Sequence, residues 1–562
     1  MRFTRYKQRH IGNVRLGKSN TAVLTKRKEF IVMGTYLNPG CKGFQTIRNG
    51  IYVDKTGLID YVNSTINTPL KLTSFSRPRR FGKSFAAKML CAYYDKSCDS
   101  RLLFEGLEIA KKTSFEQYLN KYDVVYLDMT WFISTAKCIS EVVKDLQKKV
   151  IEELQEEYPS CLKKGETILA DALLSISHKT GREFIFIIDE WDAIFREAKE
   201  NDALQKEYIQ LLRGLFKGGT ATDETIAAAY MTGILPVKKY GNESAVSDFK
   251  EFTMTSPARL TRYVGFTEQE VKNLCRTCHM SFDEMSAWYD GYSFKRMQHV
   301  YSPNSVMNAL QDEEIQNYWR KSETFESLKQ YIDRNFDGLK DSVILMLGGQ
   351  RVKIDIGTFQ NDISSFKSRD DILTLLIHLG YLAYDQSEKE VYIPNREVAE
   401  VFQSSVKGGK WEPVERAISQ SEELLDATLR CDSETVARSL ELVHEECTSV
   451  LRYNDENSLA CAIYIAYYTA RNHYLLLREF PSGKGFADYA FIPGKNTDKP
   501  AVVVELKYDK NADTAIRQIH ENRYDGKLKD YFGNLLLVGI DYDKDAKGKS
   551  AKKHSCVIER IK

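Results

Sequence analysis

Asp488, Glu505 and Lys507 fall within "GFADYAFIPGKNTDKPAVVVELKY", two strand-like runs joined by a polar connection. Side chains alternate along a strand, so Val503, Glu505 and Lys507 share one face of the second run, and two carboxylates and an ammonium converge on one edge. Asp488 and Glu505 can hold Mg2+, which lowers the pKa of a bound water and neutralises a scissile phosphate; Lys507 can position the nucleophile or stabilise charge. Downstream, "ADTAIRQIHENRY" puts Ala515, Gln518 and Ile519 on one helical face, which points Gln518 back at the same edge, with Tyr524 closing that side. Glu456, in "NDENSLACAIYIAYY", is either a third carboxylate for the metal or an exposed acid at the start of a helix. A Glu-x-Lys taken alone is by default a surface salt bridge. The strand, strand, helix order around Asp488 and Gln518 makes this one a candidate site.

A second chemistry rests on the tripeptide Gly-Lys-Ser, which occurs at Gly17, at Gly82 and at Gly548. The first copy, "GNVRLGKS", matches the phosphate-loop pattern GxxxxGK[ST] in every letter. Such a loop works only where a buried strand delivers the chain into a turn at a helix N-terminus, whose N–H groups surround the phosphates. The charged "MRFTRYKQRHI" before Gly12 supplies no such strand, and Gly548 sits in the solvated basic stretch "KDAKGKSAKK". The middle copy, "LTSFSRPRRFGKSFAAKML", has strand, loop and helix in order, although Arg77 replaces the first glycine. The candidate ATP-binding segment is therefore Arg77, Pro78, Arg79, Arg80, Phe81, Gly82, Lys83, Ser84 and Phe85. Gly82 allows close backbone approach, Lys83 reaches the β and γ phosphates, Ser84 ligates Mg2+, and the three arginines add guanidinium contacts. The acid such a site needs closes "FIFIIDE". Five consecutive apolar residues suit a strand covered on both faces, Asp189 would hold Mg2+ through water, and Glu190 would orient the attacking water. Thr232, in "YMTGIL", is a candidate sensor of the γ-phosphate.

The elements that must position these residues alternate between strand and helix. From Lys71 to Ile234, "LKLTSF", "YDVVYLDM", "FIFIIDE" and "TIAAAYMTGIL" are strand-like runs separated by helical patterns, which predicts a parallel α/β sheet. Helical patterns dominate from about Phe266 to Phe402, ending in a strand candidate "VYIPN"; 411–450 is helical and acid-rich, and a second α/β unit follows. The first 32 residues carry nine Lys/Arg and one acid, Glu29, and look like an appendage to a fold that begins at Met33. The expected divisions are 1–32, an extension; 33–265, the phosphate-loop domain; 266–410, a helical middle domain; 411–450, a helical linker; and 451–562, the second α/β domain.

The stretches "YVDKT", "SRPRRFGKS", "FIIDEWD" and "MTGILPV", with "WYDGYSF", "VYSPNSV" and "YIPNREV" further on, resemble the bacterial AAA-ATPase-like family that carries a C-terminal PD-(D/E)XK nuclease domain. The resemblance extends over nearly everything after Met33. In that family the loop commonly reads SRPRRFGKS, so the absent first glycine is ordinary, and Trp191 stands where Tyr is usual. The resemblance implies ATP and Mg2+ as cofactors, nucleic acid, most readily DNA, as substrate, and the spaced Asp488 and Glu505-x-Lys507 as the nuclease core. A role in defence against foreign DNA or in the life of a mobile element is the expected setting. Two competitors stand beside it: a nucleotide-dependent switch whose C-terminal domain binds without cutting, and a DNA motor. The reading admits a homo-oligomer and identifies no arginine finger.

Composition sets the bounds. Hydrophobic residues are 43% and charged residues 28%, as in ordinary globular protein. No apolar run approaches the roughly 20 residues a membrane-spanning helix needs. With 80 basic and 78 acidic residues the net charge is +2, so nucleic-acid contact must come from a local patch. Eleven cysteines without a framework and no signal-peptide pattern suit a reducing cytoplasm. Cys275, Cys278 and His279 spell CxxCH, a haem-attachment pattern, but Val271, Leu274, Cys275 and Cys278 recur at helical spacing, which predicts a buried helix face instead.

Overall fold

The computed structural model describes residues 34–562 apart from 218, 238, 241–242, 245, 247, 320–337, 361–365, 367, 407–411, 448–455, 483–484, 494–496, 522–533, 544–552 and 562. The first and third Gly-Lys-Ser copies, the basic extension and Tyr524 lie outside the described residues.

Five strands, β1 (Leu72–Ser76), β2 (Asp123–Asp128), β3 (Phe184–Asp189), β4 (Ile226–Gly233) and β5 (Lys250–Phe252), form an all-parallel sheet in the order β2-β3-β4-β1-β5. The continuous apolar run of β3 is explained by cover on both faces. Ile185 and Ile187 pack with helix α1 (Lys83–Tyr94) in one core, whereas Phe184, Phe186 and Ile188 pack with the helices Val142–Glu157, Leu169–Thr180 and Asp202–Phe216 in another. The central strands β4 and β1 end beside each other, with Phe75 opposite Thr232 and Ser76 opposite Gly233. Their carboxyl ends therefore open at the loop that follows β1, where doubly wound sheets place ligands.

The middle region is helical and also carries two small antiparallel sheets. One joins Phe266–Thr267, Tyr292–Phe294 and Met297–Tyr301; the other joins Val352–Lys353, Ala383–Asp385 and Glu390–Tyr392. The CxxCH residues lie where helical spacing puts them. Helix Glu268–Cys278 buries Val271 and Cys275, and His279 ends it in the left-handed conformation. Helix α2 (Arg396–Val406) closes the region, and α3 (Glu412–Leu429), α4 (Ser433–Cys447) and α5 (Glu456–Ala466) lead into the C-terminal unit.

That unit is a mixed sheet in simple order, β6 (Tyr474–Ser482), β7 (Gly485–Pro493), β8 (Ala501–Tyr508), β9 (Leu535–Tyr542) and β10 (His554–Ile561). Only the β8/β9 pair is parallel, and the crossover between them contains helix α6 (Ala512–Glu521). Val502, Val504 and Leu506 share a core with α3, α4 and α5, while Val503 packs with Ile516 and Ile519 of α6. Alternation thus directs Glu505 and Lys507 to the α6 face.

Candidate functional site

At the carboxyl edge of the parallel sheet, residues 77–82 link β1 to α1. Gly82 has φ +76°, and a Cβ placed on it would meet nothing within 4 Å, so backbone conformation rather than crowding favours glycine here. No side chain caps the helix that starts at Lys83, leaving its first N–H groups for an anion. Lys83 is buried; its Nζ donates to the Pro78 carbonyl at 3.0 Å and lies 3.0 Å from Glu190 Oε1. The other Glu190 oxygen accepts from Arg196 Nη2 at 2.7 Å. Burial works against ionisation of Glu190, yet Lys83 and Arg196 hold its pKa below the ordinary value. Its backbone is left-handed, φ 54°, an unfavourable conformation for a non-glycine residue that recurs at functional sites.

Asp189, the residue before, is 1% exposed and lies near the Ser84 hydroxyl. Burial raises its pKa to about 6; the Ser84 hydroxyl opposes the shift and the Glu190 charge adds to it. Asp189 Oδ1 is buried with no hydrogen-bond partner. A buried, unsatisfied carboxylate oxygen beside a serine hydroxyl fits a hydrated Mg2+.

The remaining loop residues divide by direction. Arg79 is half-buried and its charge helps to depress the Glu190 pKa. Phe85 is 57% exposed. Arg80 donates to the Tyr318 carbonyl at 3.0 Å, and Phe81 meets Tyr292 edge-on at 5.4 Å, so both join the loop to the middle region. Arg77 is buried over the Phe75 ring and donates to the Tyr263 carbonyl at 2.8 Å and to the Tyr230 hydroxyl at 3.3 Å. Its two terminal nitrogens are turned into the protein toward these acceptors instead of toward a phosphate, while its Nε is buried with no hydrogen-bond partner. Thr232 is likewise buried and donates its hydroxyl to the Phe75 carbonyl at 2.9 Å, tying β4 to β1 instead of presenting that proton to a ligand.

In the C-terminal unit, the β7/β8 pairing brings Asp488 beside Glu505 and Leu506. Asp488 Oδ2 accepts from the Leu506 amide at 2.7 Å. Glu505 is 2% exposed; its Oε1 accepts from Lys507 Nζ at 2.9 Å and from Gln518 Nε2, and its Oε2 is buried with no partner. Burial, reinforced by the Asp488 charge, raises the Glu505 pKa to about 7, against the pull of Lys507. Asp488, Glu505, Lys507 and Gln518 thus form one cluster with an unsatisfied carboxylate oxygen inside it, the same signature as at Asp189. Two carboxylates suit a Mg2+ that keeps several waters. Glu456 opens α5, and its side chain lies outside the described residues.

Residues 39–241 match the AAA-ATPase-like family, described as "Predicted AAA-ATPase", and residues 454–550 match the PD-(D/E)XK nuclease superfamily. The chain joins an AAA-ATPase-like domain to a PD-(D/E)XK nuclease-superfamily domain. No curated protein matches it significantly. Among solved structures, the Aeropyrum pernix ORC2 protein in its ADPNP–ADP complexes is 9% identical, aligned over 63% of this chain and 96% of its own, with a TM-score of 0.24. The Aeropyrum pernix ORC1 protein in complex with DNA is 10% identical over 67% of this chain and 98% of its own, with a TM-score of 0.26.

Sequence reasoning missed two residues of the AAA-ATPase-like site. Arg196 bridges Glu190 and Asp192, its Nε lying 3.3 Å from Asp192 Oδ2. Asp192, fully buried, accepts from the Ile234 and Leu235 amides at 3.2 and 3.0 Å. Burial raises its pKa while Arg196 opposes the shift. The spacing of Asp192 and Arg196, four residues apart just after the strand acid, was the available signal. Among the described residues no helix is long and apolar enough to cross a membrane.

Proposed function

We propose that the chain is an ATP-hydrolysing phosphate-loop enzyme coupled to a Mg2+-dependent nuclease acting on nucleic acid, with DNA as the favoured substrate. The observation that carries this reading is Glu505: a buried carboxylate with one oxygen held by Lys507 and Gln518 and the other without a partner, beside Asp488. The open oxygen of a buried acid calls for a partner that the protein does not supply, and beside a second carboxylate a metal fits that place. The reading includes the division of the chain at 33–265, 266–410, 411–450 and 451–562.

Mg2+ would supply a water of lowered pKa at the nuclease site and would offset phosphate charge at both sites. In the nuclease domain Asp488 and Glu505 would hold the metal, Gln518 would fix the orientation of Glu505, and Lys507 would place its charge at the developing anion. In the ATPase domain Ser84 and Asp189 would hold the metal, Lys83 would leave Glu190 to meet the phosphates, and the released Glu190 would orient water. Arg79 and the amides at the start of α1 complete the phosphate cradle.

One set of contacts favours a second reading, a nucleotide-dependent switch. Arg80 on Tyr318 and Phe81 on Tyr292 connect the loop that would close on phosphate to the middle region. Incubating the purified chain with defined DNA and RNA substrates and Mg2+ or Mn2+, with and without ATP, tests the proposal. Cleavage under any of these conditions supports the enzyme. Nucleotide binding with no cleavage of any substrate leaves the switch.

A further inference from the structure

A cleft of about 900 Å3 opens between the middle region and the nuclease-superfamily domain. Its lining includes Trp288 and the start of α2 from the middle region, and Tyr464, Arg471 and the open end of the β6/β7 hairpin, where β6 begins and β7 ends. It contains none of the residues assigned to ATP or to Mg2+. Pro493, in its lining, is five residues along β7 from Asp488, about 17 Å at a strand's rise.

Two guanidiniums line this cleft. Arg396 lies over the Trp288 ring, 4.1 Å from its centroid, and Arg471 lies over both Tyr464 and Tyr468 at 4.3 Å. A guanidinium whose face is taken by a ring still offers its N–H edge to an oxyanion. Arg471 Nη2 makes only a 3.4 Å contact with the Leu347 carbonyl, and its Nε is buried without a partner. Burial lowers the Arg396 pKa; Glu400, 3.7 Å away, opposes the shift, and the positive charge of Arg471 adds to it. Glu400 already faces Arg396, and an anion bound in the cleft would offset the repulsion that Arg471 adds. Beside them the lining includes the apolar residues Trp288, Leu347, Pro394 and Leu475, the last 49% exposed. Asp283 and Glu284 are exposed residues of the lining, whose carboxylates can accept from sugar hydroxyls or base amines.

We propose that this cleft binds a nucleoside phosphate, the phosphate on Arg396 and Arg471 and the base against Trp288 and the apolar lining. The volume falls in the range of about 300–1,000 Å3 of small-molecule sites. A free nucleotide and the 5′-phosphorylated end of a strand present the same chemistry. The site stands apart from both catalytic readings, and its occupancy does not depend on either of them.

Calorimetric titration of the full-length Lys83→Ala protein without Mg2+ tests it, using AMP, a 5′-phosphorylated pentathymidylate and its 5′-hydroxyl counterpart. Any residual phosphate-loop binding is common to every arm, so the change on replacing Arg396 or Arg471 reads the cleft alone. Arg396→Gln and Arg471→Gln should each weaken binding of the phosphorylated probe roughly ten- to a hundredfold, the loss of one charge-assisted contact. AMP binding as tightly as the phosphorylated oligonucleotide identifies a free nucleotide as the ligand; tighter oligonucleotide binding, lost with the 5′-hydroxyl form, identifies a strand end. Should Arg471→Gln fail to fold by circular dichroism, Arg396→Gln decides alone. The proposal is overturned if neither phosphorylated probe binds saturably, or if both bind the folded glutamine variants as they bind the parent.

Discussion

Lys83 Nζ lies 3.0 Å from Glu190 Oε1, so the ammonium expected on the phosphates is closed on the acid expected to orient water. Arg196 holds the other oxygen of that acid at 2.7 Å. On the proposed function, nucleotide displaces Lys83 from this pairing and so frees Glu190 to orient water. Lys83→Ala should therefore abolish ATP binding, whereas Glu190→Gln, which weakens the lock and keeps the cradle, should bind ATP at least as tightly as wild type. Hydrolysis by Glu190→Gln should fall on the order of 10²-fold or more, in line with the loss of a positioned acid–base group. Binding by fluorescent ATP analogue and turnover by phosphate release, measured on the same preparations, check both halves.

Arg196 should behave as a positioning residue. Replacing it with Ala leaves Asp192 buried with only its two amide donors and Glu190 with Lys83 alone. Turnover should fall while ATP affinity stays within a few-fold, and Arg196→Lys should restore part of the rate. A variant that loses affinity and turnover equally would place Arg196 in the phosphate site itself.

Gly233 has no room for a side chain. A Cβ there would lie 2.5 Å from Asp192 Oδ1 and 2.6 Å from Trp191 Cδ1. Gly233→Ala should destabilise by roughly 1–3 kcal/mol, the usual cost of overpacking, and should slow ATP turnover by displacing Asp192. A melting temperature equal to that of wild type would show that the strand end relaxes freely.

Glu397 gives a pH dependence. It is 0% exposed; Oε1 accepts from the Tyr318 amide and Oε2 from the Ser305 hydroxyl, each at 2.7 Å. Burial raises its pKa from 4.5 to about 7, against the pull of those hydrogen bonds. The folded protein thus binds this proton more tightly than the unfolded chain. The stabilisation is complete below pH 4.5 and is lost as pH rises through 7, a change on the order of 3 kcal/mol. Glu397→Gln should remove that part of the slope while keeping both partners, and denaturant unfolding at pH 5 and pH 8 measures it. Asp189 and Glu505 are raised in the same direction, so the variant should flatten the wild-type profile without levelling it.

Much of this arrangement was legible because it depends on local pattern. The five apolar residues of β3, the alternation in β8 and the strand, loop, helix order around Gly82 each fix an element and the end of it that carries a charge. The direction of Arg77 was not legible, because it is set by the Tyr263 carbonyl, 186 residues away in sequence. Nor was the bridge from Arg196 to Glu190, whose backbone is left-handed, a conformation its side chain disfavours. The edge strand β5, three residues long with one buried, is too short to show a period. The small sheets of the middle region are built from strands of two to five residues and escape pattern reading for the same reason.

In the nuclease-superfamily domain, Lys507→Ala should retain metal binding and lose about 10²- to 10³-fold in cleavage, as for one preorganised charge contact. Gln518→Ala, which leaves Glu505 Oε1 to Lys507 alone, should cost on the order of 10- to 100-fold, as outer-shell partners of a metal ligand do. Single-turnover cleavage rates across a Mg2+ titration separate weakened affinity from a slowed step.

The central claim is that the unpartnered oxygen of Glu505 awaits a metal needed for cleavage. Its most direct test compares wild type and Glu505→Gln, equally folded by circular dichroism, for cleavage of DNA across a Mg2+ titration. The change swaps one buried oxygen for nitrogen and leaves the size of the side chain intact. We expect wild type to cut and Glu505→Gln to show no detectable product at any Mg2+ concentration. Equal cleavage by the two proteins would contradict the account.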